Sequence, residues 1–200
     1  MEQSGNRAYS ERLEEGAVVL KRMTSADVGD DYLRWMTDPE VIHYLQARFD
    51  THTIDSLKAF IDGFDHIDRF AFAIHDREND TRIGTLTLRV NPTHRFSSIG
   101  YLIGEKDYWR GSFALDACRA ALDFVFFERL VRRVTEPTTE NHLASNFNFK
   151  RLGFELVARI PDMFWGEGRY QAASYWSIGI AEWAAKRGRP VPAIPNPDRD

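Results

Sequence analysis

Cysteine occurs once, at Cys118, which excludes an internal disulfide and a cysteine-built zinc site. A lone thiol fits a reducing, cytoplasmic setting. No apolar run approaches the roughly 18–20 residues that cross a bilayer, and residues 1–17 are too polar for a secretory leader, so no membrane partner is expected. No sign of charge dominates: 26 Lys+Arg face 30 Asp+Glu, a formal net charge of −4, and no basic run offers a nucleic-acid footprint. Both GxGxxG and GxxxxGK[ST] are missing, which removes support for dinucleotide and P-loop readings. Repeats and low-complexity blocks are also missing. What remains is 200 residues, 43% apolar and 13% aromatic, the composition of one soluble globular domain.

The polar residues 1–16 read as an N-terminal arm, 17–187 as a single domain, and the Pro- and charge-rich 188–200 as a tail. Val18–Met23 reads as a strand. A helix follows from the Thr24–Asp27 capping region through Tyr32, Trp35 and Met36, until Asp38-Pro39 breaks it. Pro39–Leu45 predicts a second short helix, and Thr53 caps a third through Leu57 and Phe64. Phe70–His75 and Arg82–Val90 predict a hairpin, and Ser97–Ile103 another strand. Phe113–Arg129 carries apolar residues three and four apart, a strong amphipathic helix. Strand Arg132–Glu136, helix Asn141–Arg151 closed by Gly153, strands Phe154–Ile160 and Tyr170–Ile178, and a short helix to about Lys186 complete the order. Meandering strands that later alternate with helices predict an α/β (α+β mixed) fold, a mixed sheet with helices on both faces.

The chemistry concentrates where strand 97–103 turns into the long helix. The first turn of that helix has unpartnered amides and about half a positive charge, which together suit a diphosphate. Gly111 allows close backbone approach, Arg110 adds charge, and Ser112 can cap the helix or donate its hydroxyl. A plain helix start fits the same residues. Further on, Asn141 and Ser145 fall one turn apart at the next helix start, where capping is the favoured explanation for these two residues taken alone.

Taken together and in order, these segments resemble the GNAT N-acyltransferases, in their RimJ/RimL-like branch. Ile99-Gly-Tyr, then Tyr108-Trp109, then Arg110-Gly-Ser-Phe-Ala114 is similar to that family's coenzyme loop. Arg132-Arg133, Asn141 to Ser145, and Lys150 to Gly153-Phe154 are similar to its second motif. Leu20-Lys-Arg-Met with Asp27, Trp35 with Asp38-Pro39-Glu40-Val41, and Gly168-Arg-Tyr170 resemble its opening and closing, so the likeness spans about residues 18–178. The pattern departs at Ser112, where a glycine is usual, and at His142, Phe149 and Ala172, which stand for the usual Asn, Tyr and Asp.

The resemblance implies a mostly antiparallel sheet that opens in a V between the fourth and fifth strands, with acetyl-CoA in the opening and no metal. It implies phosphates on the amides of Trp109, Arg110, Gly111, Ser112, Phe113 and Ala114, and pantetheine along Leu102 and Ile103, whose amides face the thioester carbonyl. It adds Asn141 and Ser145 as further coenzyme contacts, with Ser145 donating to the departing thiolate. Strand 97–103 carries no acid, so Glu136 at the end of the neighbouring strand is the candidate base, ahead of Asp162, Glu40 and a water-relayed His142. Trp35, Tyr44, Asp162 and Phe164, near the second helix and the 161–170 loop, are candidate acceptor contacts. The acceptor is expected to be a primary amine of a small molecule (amino sugar, polyamine or aminoglycoside-like) or a peptide N-terminus, acetylated by a monomer or homodimer. The alternative is a GNAT-shaped sensor that binds acyl-CoA or amine without turnover. His43, His75 and His94 lack spacing partners, and Cys118 lies on the core face of its helix.

Overall fold

Phe70-Ala-Phe-Ala-Ile is apolar at every position, the pattern of a strand covered on both faces. In the structure, a computed structural model that describes residues 9–195, it lies within an eight-stranded sheet. The strands are β1 (Arg12–Glu15), β2 (Val18–Arg22), β3 (Arg69–Asp76), β4 (Arg82–Asn91), β5 (Phe96–Ile103), β6 (Arg133–Thr139), β7 (Glu155–Gly166) and β8 (Arg169–Gly179). Their spatial order is β1-β2-β3-β4-β5-β6-β8-β7. Every neighbouring pair is antiparallel except β5–β6. The helices are α1 (Asp30–Thr37), α2 (Ile54–Asp62), α3 (Phe113–Asp123, continued by a π-turn over Phe124–Glu128), α4 (Leu143–Leu152) and α5 (Ile180–Arg187).

Strand alternation divides the core in two. Phe70, Phe72 and Ile74 face α3, α4 and α5, while Ala71 and Ala73 face α1 and α2. Large rings fill one side, and methyl groups on the other let two short helices come close.

Three expectations are corrected. Residues 12–15 of the expected arm form β1, paired Arg12↔Lys21 through Glu15↔Val18. Leu13 is buried, and Arg187 bridges Glu15 (2.7 Å) and Asp123 (2.8 Å), pinning the strand to α3 and α5. Four residues are too few to show a period, which hid this strand. Residues 1–8 of the arm and 196–200 of the tail lie outside the described residues. The expected helix Pro39–Leu45 is instead a series of turns ending in a 3-10 turn at Gln46–Phe49. Asp38 Oδ1 accepts from the Glu40 amide at 3.0 Å, an Asx-type contact that competes with helix. Arg48 then ties the segment down by donating to the His43 and Trp165 carbonyls. Helix α4 starts at Leu143 rather than Asn141, with His142 at its N-cap.

Trp35 is 1% exposed and lies beneath Gly104, where an added Cβ would stand 2.0 Å from its ring. Its indole N–H donates to Glu105 (3.0 Å). Gly104→Ala is therefore an overpacking change at the end of β5. It should cost about 1–3 kcal/mol, read as a lowered urea midpoint at unchanged m-value.

Candidate active site

Strand β5 and strand β6 pair for only two positions, Phe96↔Arg133 and Ser97↔Val134. Beyond Val134 they diverge, and β6 pairs onward with β8 alone. Ile99, two residues past the last pair, turns its amide into this opening, where the Glu136 carboxylate accepts it at 3.0 Å. By the two-residue alternation of a strand, the Tyr101 and Ile103 amides face the opening as well. The Leu102 amide then faces β4, so of the two expected thioester donors only Ile103 is aimed correctly. The indole of Trp109 donates to the Ile103 carbonyl (2.8 Å) and closes that end of the strand edge.

Placement in the opening sets the chemistry of Glu136. Burial pushes its carboxyl up to about 7, against weaker lowering by the Ile99 amide and the Arg89 charge. A carboxylate poised near neutrality can accept an amine proton. Of the other base candidates, Glu40 is held by Lys106 at 2.6 Å. Asp162 is exposed at a bulge of β7 with φ +51°.

Across the opening, α4 presents Ser145, which is buried. Its Oγ lies 3.2 Å from the Tyr101 hydroxyl and 3.3 Å from His142 Nε2. Asn148 Nδ2 donates to Tyr101 Oη (3.2 Å), which leaves the phenol hydrogen for Ser145. Ser145's own hydrogen can then point to an incoming acceptor. Burial raises the Tyr101 pKa to about 12 and keeps it a phenol. Burial, with the nearby His43, lowers His142 to about 4, so its ring is neutral at pH 7 and stacks on Tyr44 at 4.1 Å. Tyr101 enters the sequence reading only within the Ile99-Gly-Tyr resemblance, with no site role, and Asn148 does not enter it. A tyrosine in an apolar strand reads as core, and only the fold brings these α4 partners to it.

The first turn of α3 begins beside the same opening. Gly111 has φ +96°, the left-handed region that favours glycine, whereas Ser112 has φ −103°. The glycine displaced by one place thus meets the only left-handed requirement of the loop, and Ser112 needs none. Its hydroxyl does not cap the helix but donates to Asp116 Oδ2 (2.7 Å). Asp116 is buried and also accepts from the Ala17 amide (3.2 Å) and Arg119 (2.7 Å). The first turn-to-turn bond is Asp116 N–H to the Ser112 carbonyl (2.8 Å), so the Phe113 and Ala114 amides precede the helical ladder. Trp109 and Arg110 are exposed at its entrance. Asn141 is drawn elsewhere, donating to Glu167 Oε2 (3.1 Å) on the β7–β8 turn, and it is not aligned with Ser145 on α4. The asparagine that matters structurally is Asn146, which accepts from the Trp176 indole (2.7 Å) and donates to the Thr139 and Glu140 carbonyls.

The expected acceptor contacts separate. Trp35 is core rather than a wall. Tyr44 reaches the site through His142. Phe164 is half-buried on β7, opposite Gln171. The seam between Tyr44, Arg48 and Glu167 is closed to about 10 Å³. Open space lies instead on the α1/α2 face of β4 and β5, in a cavity of about 550 Å³ that none of Trp35, Tyr44, Asp162 and Phe164 lines. Its floor is Gly100, Thr85 and Thr87. Among the described residues, no group of three His, Cys, Asp or Glu is placed to hold a metal ion, and no helix is long and apolar enough to cross a membrane.

The sheet thus opens between two parallel strands beside a helix N-terminus, as the family resemblance implies. The Acetyltransferase (GNAT) domain family matches residues 17–155, and the chain belongs to that family of acetyl-CoA-dependent acyltransferases. Among solved structures, a spermidine N-acetyltransferase from Vibrio cholerae, in complex with CoA and spermine, is similar at 17% identity and TM-score 0.73, over 84% of this chain and 98% of that one. A ribosomal-protein-S5-alanine acetyltransferase from Vibrio fischeri is similar at 16% identity and TM-score 0.73, over 87% and 99%. A GCN5-related N-acetyltransferase from Brucella melitensis is similar at 20% identity and TM-score 0.72, over 90% and 83%. Curated protein sequences give no match. These identities establish the shared fold.

The α3 loop yields a paired prediction. Gly111→Ala should lose about 1–2 kcal/mol of stability through its positive φ and weaken CoA binding. Ser112→Gly should lose about 1 kcal/mol with the Asp116 bond and should not tighten CoA binding. Urea unfolding and calorimetric titration with CoA read both effects.

Proposed function

We propose that this chain transfers an acetyl group from acetyl-CoA directly to a primary amine, of a small molecule or a peptide N-terminus, in a ternary complex, as a RimJ/RimL-like enzyme. The observation that carries this reading is the Glu136 carboxylate on the Ile99 amide inside the opening of the sheet. The opening fits the coenzyme: beyond Ile99 the β5 amides on the side away from β4 face no strand, and the α3 first turn adds amides suited to phosphate. Acetyl-CoA, when bound, supplies the thioester acetyl group and a thiolate leaving group. Phe113, Ala114 and Arg110 hold the phosphates. The Tyr101 and Ile103 amides line the path toward the opening and offer donors to the carbonyl oxygen. Glu136 takes the proton that the attacking nitrogen sheds as the new C–N bond forms. Ser145, backed by Tyr101, donates to the sulfur as the C–S bond breaks. Phe149, where a tyrosine is usual, is buried against Phe154 at 4.9 Å and takes no part. The similar spermidine and ribosomal-protein enzymes support an amine as acceptor.

Release of free thiol from acetyl-CoA across a panel of amines tests the reaction. CoA binding with no release on any amine would favour a sensor instead. Glu136→Gln should lower kcat/KM about 10²-fold and abolish its rise through pH 7. Ser145→Ala should lower kcat by about 10-fold or more with little change in CoA affinity.

The same group makes a stability prediction of opposite sign. The folded pKa of Glu136 lies above its ordinary value of 4.5, so the unfolded chain releases this proton first as pH rises. The fold is therefore penalised increasingly between pH 4.5 and 7, and fully above 7. Glu136→Gln should melt with the parent at pH 4.5 and about 2–4 °C above it at pH 8, equivalent to ~1 kcal/mol after allowance for partial solvation.

A further inference from the structure

The 550 Å³ cavity carries information about the acceptor that the reaction alone does not. Tyr32, Met36, Leu45, Leu57, Phe60 and Leu102 wall it with apolar surface. Asp50, exposed at the rim, is the one carboxylate among its lining residues, and no lysine or arginine lines it. Its floor adjoins the reaction centre, because Gly100 follows directly on Ile99, whose amide Glu136 holds. Gly100 keeps that floor low: a Cβ there would stand 3.1 Å from Thr87 Oγ1.

We infer that the cavity selects a primary amine borne on an apolar, ring-sized body with a single positive charge, and rejects polyamines and amino sugars. The inference rests on the acetyl-transfer reading for the destination of the amine, and on the cavity itself for its body. A triamine brings three ammonium groups to one carboxylate, and each ammonium left in apolar surroundings without a partner weakens binding more than tenfold. An amino sugar brings several hydroxyls to a lining whose surface is mostly apolar, with Gln46, Thr51, His52, Ser56, Thr85 and Thr87 as the side chains able to pair with them. A phenyl or indolyl group displaces water from Phe60, Leu57 and Leu102 and leaves its single ammonium near Asp50 on entry, or at Glu136 once inside. The same chemistry arrives on a free arylalkylamine or on a peptide that begins with an apolar residue.

The test uses the full chain with acetyl-CoA and five acceptors: phenethylamine, tryptamine, a Phe-initiated tripeptide amide, spermidine and glucosamine. Thiol release gives kcat/KM, and calorimetry of each amine, with and without CoA, gives affinity independent of turnover. The expected result is at least a tenfold preference in both readouts for the three apolar amines over spermidine and glucosamine. A tripeptide ahead of phenethylamine marks the source as a peptide, and the reverse order marks a free amine. Phe60→Ala, at a residue 43% exposed, should raise KM for phenethylamine about fivefold at unchanged kcat and CoA affinity. Ser56→Glu adds a second rim carboxylate at the N3 position of the α2 capping box, where Glu is well tolerated, and should raise spermidine kcat/KM about tenfold. Preference for spermidine or glucosamine, in turnover or in binding, overturns the inference and leaves acetyl transfer standing. Apolar-amine selectivity indifferent to both variants overturns it too. Absence of CoA binding alongside selective phenethylamine binding sinks the acetyl-transfer reading instead and leaves the cavity's selectivity in place.

Discussion

The structure turns on one unpaired backbone amide. Where β5 and β6 part after two residue pairs, Ile99 would face an empty strand position, and a buried amide without a partner is costly. Glu136 resolves this by laying its carboxylate across the gap. The solution carries a cost of its own, because a carboxylate held there is poorly hydrated and its pKa rises to about 7. That displaced pKa is what makes the group useful as a base at neutral pH. Charge destabilisation and basicity are one effect seen from the fold and from the reaction.

The sheet also acts as a partition. Alternation along β5 sends Ile99 and Ile103 to the core beneath α3, while Leu102 packs toward α1 and α2. Main-chain groups of the odd-numbered residues meanwhile point sideways into the opening. One strand thus presents three surfaces: a packed face, a cavity face and a polar edge. The α3 N-terminus lies by the polar edge, and the apolar cavity lies on the far face. Glu136 lies in the opening between β5 and β6, and Tyr101, which lines the cavity, carries its hydroxyl to Ser145.

Much of this was legible from residue order. The turn at Gly111 into α3 could be read because glycine and helix periodicity are local signals, and Glu136 because it ends a short strand beside an acid-free one. The family's usual glycine position falls at Ser112, whereas the left-handed residue of the loop is Gly111. Trp35 was misplaced because an aromatic in an amphipathic helix looks alike whether it meets ligand or Gly104. The cavity was illegible: Ser56 and Phe60 on α2, Thr85 and Thr87 on β4, and Gly100 on β5 are brought together only by sheet register. Tyr101 was hidden likewise, its partners Ser145 and Asn148 lying 44 and 47 residues on.

The proton balance links the two compartments. A free alkylammonium has a pKa near 10.4 and an α-ammonium near 8, so a base near 7 faces a gap of about 3 units in the first case and about 1 in the second. Deprotonation by Glu136 alone is thus roughly a thousandfold uphill for an ordinary alkylamine. Apolar surroundings narrow that gap from the other side, since desolvation lowers an amine's pKa as it raises a carboxyl's. A cavity walled by Leu57, Phe60 and Leu102, with one carboxylate at its rim, would move the amine in the required direction before it reached Glu136. A lining rich in acids would do the reverse, holding the nitrogen protonated and unreactive. The sparse charge of the cavity and the raised pKa of Glu136 are then two halves of one device for delivering a neutral amine to the sheet opening.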